Sequence, residues 1–219
     1  MLSMGVLRSQ TPSDDLNKER ILGVIPNFQT VNDPNAAFRP LTVRQKFHLF
    51  ARETVDPFTF AGAAMGAGLS QAGNEDPKYG QGGRAYAQRF GAAFTDIATQ
   101  NFFADFLLAS ALHEDPRYFR RGSEYGFFYR VGYAMSRVVV TRTDAGHRTF
   151  NFAGIGGMAM GIGLSDAYYP PGSVNAMEFG SRILTSLTAA ALGNILPEFW
   201  PDIQRKLFHR HDHPPPATP

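Results

Sequence analysis

Apolar residues recur at helical spacing through most of the chain between residues 42 and 208. Thr42 followed by Gln45 has the form of a capping box at the start of this region. The predicted helices cover residues 42–55, 58–72, 84–112, 124–140, 151–165, 174–196 and 201–208. The pattern predicts an all-α fold: a bundle of five to six small-residue-rich helices, with peripheral amphipathic helices at 42–55 and 201–208.

The ends of the chain lack this periodicity. Residues 1–40 carry four prolines among scattered polar residues and predict an irregular lead-in, with only 21–25 apolar enough to dock. Residues 209–219 form a His- and Pro-rich tail that we expect to be disordered. A chain of 219 residues suits one core, so residues 41–208 are predicted to form a single helical domain.

Three uncharged segments, 58–72, 151–165 and 183–196, are the main indication of a membrane. Each is shorter than the roughly 20 apolar residues that a spanning helix needs. Small residues lie one turn apart at Gly62 and Gly66, and at Gly157 and Gly161. Such spacing lets helix backbones approach closely, as in lipid. Two interpretations stay open: helices packed within or against a membrane, and a soluble bundle packed through glycine.

Composition narrows the classes of function. Charged residues make up 18%, below the roughly 25% of ordinary domains, with 22 Gly and 19 Phe. A mean hydropathy of −0.22 is too polar for a mostly transmembrane chain. The absence of cysteine excludes thiol catalysis and Cys-ligated metals. The first residues lack the pattern of a signal peptide.

Four charged residues interrupt the apolar pattern of two predicted helices. Asp96 and Asp105 lie in the third helix, and Arg130 and Arg137 share one face of the fourth. A buried charge needs a partner. If these helices are antiparallel, the acids and arginines are predicted to form internal ion pairs.

The region from Arg117 to Arg148 is locally basic and has few acids. Arginine binds carboxylate or phosphate through a planar fork, which suggests an anionic lipid or another phosphate-bearing partner. The residues proposed for that role are Arg117, Arg120, Arg121, Arg142 and Arg148. Pairing with acids inside the protein is the alternative. We expect no nucleic-acid partner, because no Lys/Arg-dense run or recognisable module is present.

Two His and two Asp residues form the best metal candidate: His113, Asp115, Asp144 and His147. A straight helix over 124–140, about 25 Å long, separates the two pairs and argues against grouping them. We therefore predict no metal site, and no catalytic residue or cofactor. The sequence contains neither a phosphate-binding glycine loop nor a nucleophile elbow.

A partial repeat joins two loops. Glu75-Asp-Pro-Lys-Tyr79 and Glu114-Asp-Pro-Arg-Tyr118 share the order acid, Asp, Pro, base, Tyr. We expect both to lie between helices, since Asp before Pro disfavours helix.

Three longer motifs carry a resemblance: DPRYFRRG at 115–122, TRTDAGHRTFNF at 141–152 and EFWPDIQRKLF at 198–208. Over residues 20–208 the chain resembles an uncharacterised family of exported, glycine-rich α-helical bacterial proteins. The resemblance implies a place in the cell envelope and brings no known activity.

The preferred hypothesis is a structural, non-catalytic envelope or membrane-associated protein that self-associates through glycine-rich helix faces. One alternative is a soluble or periplasmic carrier of an apolar ligand, which requires a cavity between helices. The other is a metal-dependent hydrolase, which requires His113 and His147 to lie close together. The structural hypothesis predicts an exposed apolar belt around 58–69 or 151–164.

Overall fold

The computed structural model describes residues 20–21, 25–33, 37–165, 167–170 and 176–208. Within these residues the protein is mostly helical with small sheets, so the all-α prediction is correct only in part. The predicted C-terminal tail, 209–219, lies outside the described residues, as does much of the N-terminal lead-in.

Seven helices longer than one turn occur in the described chain. They are α1 (Val43–Thr54), α2 (Pro57–Ala72), α3 (Gly83–Asn101), α4 (Phe127–Ser136), α5 (Phe152–Ser165), α6 (Ala176–Gly193) and α7 (Ile195–Phe208). The first three follow the predicted positions closely. At the C-terminal end, the predicted break between 196 and 201 is wrong, because α7 begins at Ile195 and continues through Pro201.

Side-chain caps fix the starts of the first two helices. Thr42 and Gln45 form the predicted capping box on α1. Asp56 accepts a hydrogen bond from the backbone N–H of Phe58, and Pro57 occupies the first position of α2. Asp56 is itself paired with Arg20, which ties the N-terminal segment to this helix junction.

The third helix is the centre of the bundle. After Asn101 it continues as a π-helical segment, Phe102–Leu108, and ends in a turn at Ala109–Ala111. A cluster of four aromatic rings joins this segment to α1, with adjacent ring centroids 5.2–6.4 Å apart. The rings belong to Phe47, Phe50, Phe102 and Phe106.

Close packing against α3 explains one of the two predicted glycine pairs. A Cβ at Gly157 would overlap the backbone of Ala104, and one at Gly161 would lie 2.5 Å from Cγ of Gln100. These glycines therefore let α5 approach the central helix closely. A Cβ at Gly62 or Gly66 would meet no atom within 4 Å, so that pair does not mediate packing within the described chain.

Short strands replace the end of one predicted helix. The strands are β1 (Arg20–Ile21), β2 (Ile25–Pro26), β3 (Thr30–Val31), β4 (Glu114–Asp115), β5 (Tyr118–Phe119), β6 (Val140–Thr143) and β7 (Arg148–Phe150). The helix predicted over 124–140 ends at Ser136. The β-branched run that begins at Val138 then forms an antiparallel hairpin, which turns at Gly146 with φ of 85°.

Strand pairing joins segments far apart in sequence. In the three-stranded sheet, β6 lies between β4 and β7, with both neighbours antiparallel. Strands β3 and β5 pair in parallel, which places the N-terminal segment beside residues 118–119. Ile21, in the predicted docking stretch, is 1% exposed.

Candidate functional site

A buried carboxylate, Glu198 on α7, organises the most extensive polar network of the described chain. Its Oε1 accepts a hydrogen bond from Nε of Arg130 at 2.8 Å. Its Oε2 accepts one from the hydroxyl of Tyr118 at 2.7 Å. Burial and the Glu198 carboxylate raise the pKa of Tyr118, so this hydroxyl keeps its proton and donates.

The network extends to the next turn of α7. Asp202 forms salt bridges with Arg120 at 2.8 Å and with Arg130 at 2.6 Å. These guanidiniums hold the pKa of Asp202 below its usual value even though burial opposes the shift. Backbone N–H groups of Arg121 and Gly122 also donate to Glu198. We call this set the Glu198 clasp; it joins α4 and α7 to the segment after β5.

The clasp corrects the predicted pairing of charges between helices. Arg130 is paired with Glu198 and Asp202 rather than with Asp96 or Asp105. Asp96 instead accepts hydrogen bonds from the hydroxyls of Ser165, Tyr168 and Tyr169 at 2.6–2.8 Å.

The other predicted acid, Asp105, lies in the π-helical segment beside Glu53 of α1. Burial raises the pKa of Asp105 to about 7. Burial, followed by the charge of Asp105, raises the pKa of Glu53. Two neighbouring carboxyls in this environment do not both ionise, so the pair holds a shared proton near neutral pH.

The arginines proposed for an anionic partner have diverse surroundings. Arg117 binds Asp115 through two nitrogens, and Arg120 is in the clasp. Arg121 and Arg142 lie over the rings of Tyr133 and Phe119, at 4.6 and 4.4 Å. Arg148 is exposed on β7. Intramolecular pairing therefore accounts for Arg117 and Arg120.

The predicted separation of the His and Asp candidates by a straight helix over 124–140 is wrong, because that helix ends at Ser136. Pairing of β4 with β6 brings Glu114 opposite Thr143, and the backbone N–H of Asp144 donates to the carbonyl of His113 at 2.7 Å. The carboxylates are nevertheless committed elsewhere: Asp144 to the buried Lys46 and Asp115 to Arg117. Among the described residues, no group of three His, Cys, Asp or Glu side chains is placed to hold a metal ion.

A cavity of about 660 Å³ lies between α2, α3, α5 and α6. The first of the two repeated loops contributes Glu75, Asp76 and Tyr79 to its wall. Across from them, Arg182 lies over the Tyr169 ring at 4.3 Å and forms salt bridges with Glu178 and Asp76 at 3.2 and 3.7 Å. Asp96 also lines this cavity, whose character is polar and charged.

The outer face of α2 is apolar and uncovered. Its members occur at helical spacing and all are exposed: Phe58, Ala61, Met65, Leu69 and Ala72. Met65 and Leu69 are each 67% exposed. No charged residue occurs in the helix. We refer to these five residues as the α2 outer face.

No known family model, curated protein or solved structure matches this chain. The resemblance to an exported bacterial family therefore stays a prediction. In the described part of the chain, no helix is both long enough and apolar enough to cross a bilayer.

Sequence reasoning missed the centre of the clasp and the acid pair. In the sequence Glu198 stands out only as part of a motif, and the partners of its carboxylate lie 68–80 residues away in the chain. Glu53 occupies an amphipathic helix where one acid gives no signal of its own. Both residues are identified by their burial between helices of the folded protein, and not by a residue spacing within a single helix.

Proposed function

We propose that the protein is a non-catalytic, helical protein of the bacterial cell envelope that attaches to a membrane surface. The observation that supports this most is the α2 outer face. Five apolar residues on one side of an uncharged helix remain exposed after the bundle has formed. Apolar faces of this kind mark sites of membrane or protein interaction.

The energetics favour burial of this surface. Removing apolar area from water contributes about 25 cal/mol per Å². Burial of the Met65 and Leu69 side chains, each 67% exposed, would therefore contribute to the free energy of binding to a membrane surface. The opposite side of α2 packs on α3 through buried Ala63 and Ala67, so attachment does not require the bundle to open.

A second surface has similar character. On α6 the exposed side chains include Met177, Leu184 and Leu192, at 86%, 67% and 56% exposure. The charged residues of this helix, Glu178 and Arg182, line the large cavity instead. Two helices thus present apolar residues outward, which supports attachment over an area larger than one helix.

The large cavity does not favour a carrier of apolar ligand. Its wall contains the side chains of Glu75, Asp76, Asp96 and Arg182. An apolar ligand would remove water from these groups without replacing its hydrogen bonds, which costs free energy.

Vesicle flotation tests the proposal. The purified chain is mixed with vesicles of phosphatidylcholine and phosphatidylglycerol and centrifuged through a density gradient. We expect it to float, and we expect Met65→Glu to reduce the floating fraction strongly, because a carboxylate in the contact must be desolvated. Gln88→Glu adds the same charge at an exposed position of α3 and serves as the control.

Two results would contradict membrane attachment. One is a wild-type chain that does not float with either lipid. The other is equal loss of floating in Met65→Glu and Gln88→Glu, which would indicate general charge repulsion. Light scattering without lipid tests self-association through the same face: a dimer abolished by Met65→Glu would assign the α2 outer face to a second copy of the chain.

A further inference from the structure

The side chain of Arg137, at the end of α4, is enclosed in the protein without a charge partner. The residue is 8% exposed. Among the described residues, its guanidinium has no hydrogen bond and no salt bridge; it lies over the ring of Tyr133, with Cζ 5.6 Å from the ring centroid. A buried cation in this condition is unusual, because desolvation of a charge costs several kcal/mol unless a partner compensates.

The other buried cations of the described chain are compensated. Lys46 binds Asp144, and Arg120 and Arg130 bind Asp202. Arg89 donates to the backbone carbonyls of Gly80 and Glu75 at 2.9 and 2.8 Å. Arg137 therefore differs from every one of them in lacking an acceptor.

The electrostatic surroundings add to the imbalance. Burial lowers the pKa of Arg137, and the nearby positive charges of Arg142 and Arg148 lower it further. Only the Tyr133 and Tyr118 side chains act in the opposite direction. A negative charge bound near this guanidinium would therefore stabilise its charged form.

Arg137 lines a pocket of about 200 Å³ between the π-helical segment, β4 and α5. Amide side chains also reach its wall, from Gln29, Gln100, Asn101 and Asn194. Amides offer N–H donors for an anion. A pocket of this volume is below the usual range for drug-sized ligands, so it suits a small group.

Three acids share the wall, and none of them neutralises Arg137. Asp115 is bound by Arg117, which lies in the same wall. Glu114 accepts a hydrogen bond from the backbone N–H of Ala153 at the start of α5. Asp105, whose pKa burial raises to about 7, shares a proton with Glu53, so the two carboxyls are not both ionised near neutral pH.

We propose that this pocket binds a small oxyanion, the carboxylate or phosphate group of a ligand, through the guanidinium fork of Arg137. Arginine presents parallel N–H donors that match two oxygens of either group. The bound anion then supplies the hydrogen-bond acceptor that the Arg137 guanidinium lacks among the described residues. The pocket is separate from the α2 outer face, so this proposal does not depend on membrane attachment.

The test measures thermal unfolding of the full chain against increasing inorganic phosphate or acetate, at constant ionic strength with chloride. We expect the unfolding midpoint to rise and to saturate with at least one of the two anions. In Arg137→Gln the apparent affinity should fall at least tenfold, since charge-assisted hydrogen bonds are lost. Arg84→Gln removes an equal charge from an exposed position at the start of α3, outside the pocket wall, and it should keep the affinity within about twofold.

Folding of the variant can be judged without ligand. Because Arg137→Gln removes an unpaired buried charge, its anion-free midpoint should equal or exceed that of the wild type. The proposal fails if neither anion gives a saturable rise, or if Arg137→Gln and wild type respond alike. It fails also if both Arg variants lose affinity equally, which would indicate a diffuse field.

The same titration distinguishes the source of the anion. If vesicles of phosphatidylglycerol occupy the pocket, they should weaken the response to phosphate and vesicles of phosphatidylcholine should not. If neither lipid alters a saturable phosphate response, the ligand is a free solute. Met65→Glu should leave the phosphate response unchanged, so failure of membrane attachment and failure of the anion site give different results.

Discussion

Nε of Arg130 lies 2.8 Å from Oε1 of Glu198, and neither side chain is more than 6% exposed. The pair joins α4 to α7 across 68 residues of sequence. Removing one member of a buried ion pair costs more than the pair contributes, because the other charge is left in the interior.

Glu198→Gln should therefore destabilise the protein by about 3 kcal/mol or more, although the amide keeps the shape of the side chain. Urea unfolding followed by circular dichroism measures the change. Glu178→Gln is the control: its pair with Arg182 is half-exposed, so we expect a loss below about 1 kcal/mol. Equal losses of unfolding free energy in the two variants would show that the Glu198 clasp stabilises the protein no more than an exposed ion pair does.

Lys46 and Asp144 permit a double-mutant cycle. Nζ of Lys46 is 2.9 and 2.8 Å from the two carboxylate oxygens of Asp144, and the lysine is 1% exposed. Lys46→Met should destabilise by about 3 kcal/mol, since Asp144 loses its cation. Adding Asp144→Asn should recover part of that loss. Strictly additive unfolding free energies would show that the two groups are not coupled.

Gly161 and Gly66, one from each glycine pair predicted for packing, should respond in opposite directions to substitution by alanine. Gly161→Ala should destabilise by about 1–3 kcal/mol, because the new Cβ meets Gln100 and the helices must separate. Gly66→Ala meets nothing within 4 Å and should stabilise by about 0.5–1 kcal/mol through helix propensity. Thermal and urea unfolding in parallel measure both. Destabilisation by Gly66→Ala in a dilute monomer would contradict this assignment.

The Glu53 and Asp105 pair gives stability a pH dependence. Between about pH 4 and 7 the folded protein holds a proton on Asp105, whose pKa is raised by burial, whereas the unfolded chain has released it. Stability from this group is therefore complete below about pH 4 and declines as pH rises to about 7.

Asp105→Asn removes the titration of Asp105 and leaves that of Glu53, whose pKa is raised first by burial. At pH 8.5 the variant should be more stable than wild type by on the order of 2 kcal/mol, and the advantage should shrink towards pH 4. Urea unfolding across pH 4 to 8.5 measures this. Glu124→Gln, at an exposed acid, should follow the wild-type pH profile. A constant difference between Asp105→Asn and wild type would show that Asp105 is ionised throughout.

Much of the helical fold could be predicted from local signals. The capping box at Thr42 marked the start of α1, and Pro57 marked the start of α2. These devices act within one turn, so a single segment contains all the information. The hairpin after α4 differs from the prediction of one helix over 124–140, although the β-branched run from Val138 and the glycine at the Gly146 turn are strand and turn signals.

The polar sites were less predictable because their partners come from distant segments. Arg130 was expected to have an internal acid, and it has one, but the acid is Glu198 rather than Asp96 or Asp105. Many acids in the chain could have met this arginine. Only the folded arrangement selects one, and the same holds for the lack of a partner at Arg137.

The Glu198 clasp also sets an order of events during synthesis. Its arginine, Arg130, leaves the ribosome 68 residues before its carboxylate. At roughly 5–20 residues per second this interval lasts roughly 3 to 14 seconds. During that interval α5 and α6 are synthesised, while Arg120 and Arg130 cannot yet pair with Glu198 or Asp202. Burial of these two cations by α7 therefore cannot precede the synthesis of α7, and a chaperone or a membrane surface has that interval in which to act on the open form.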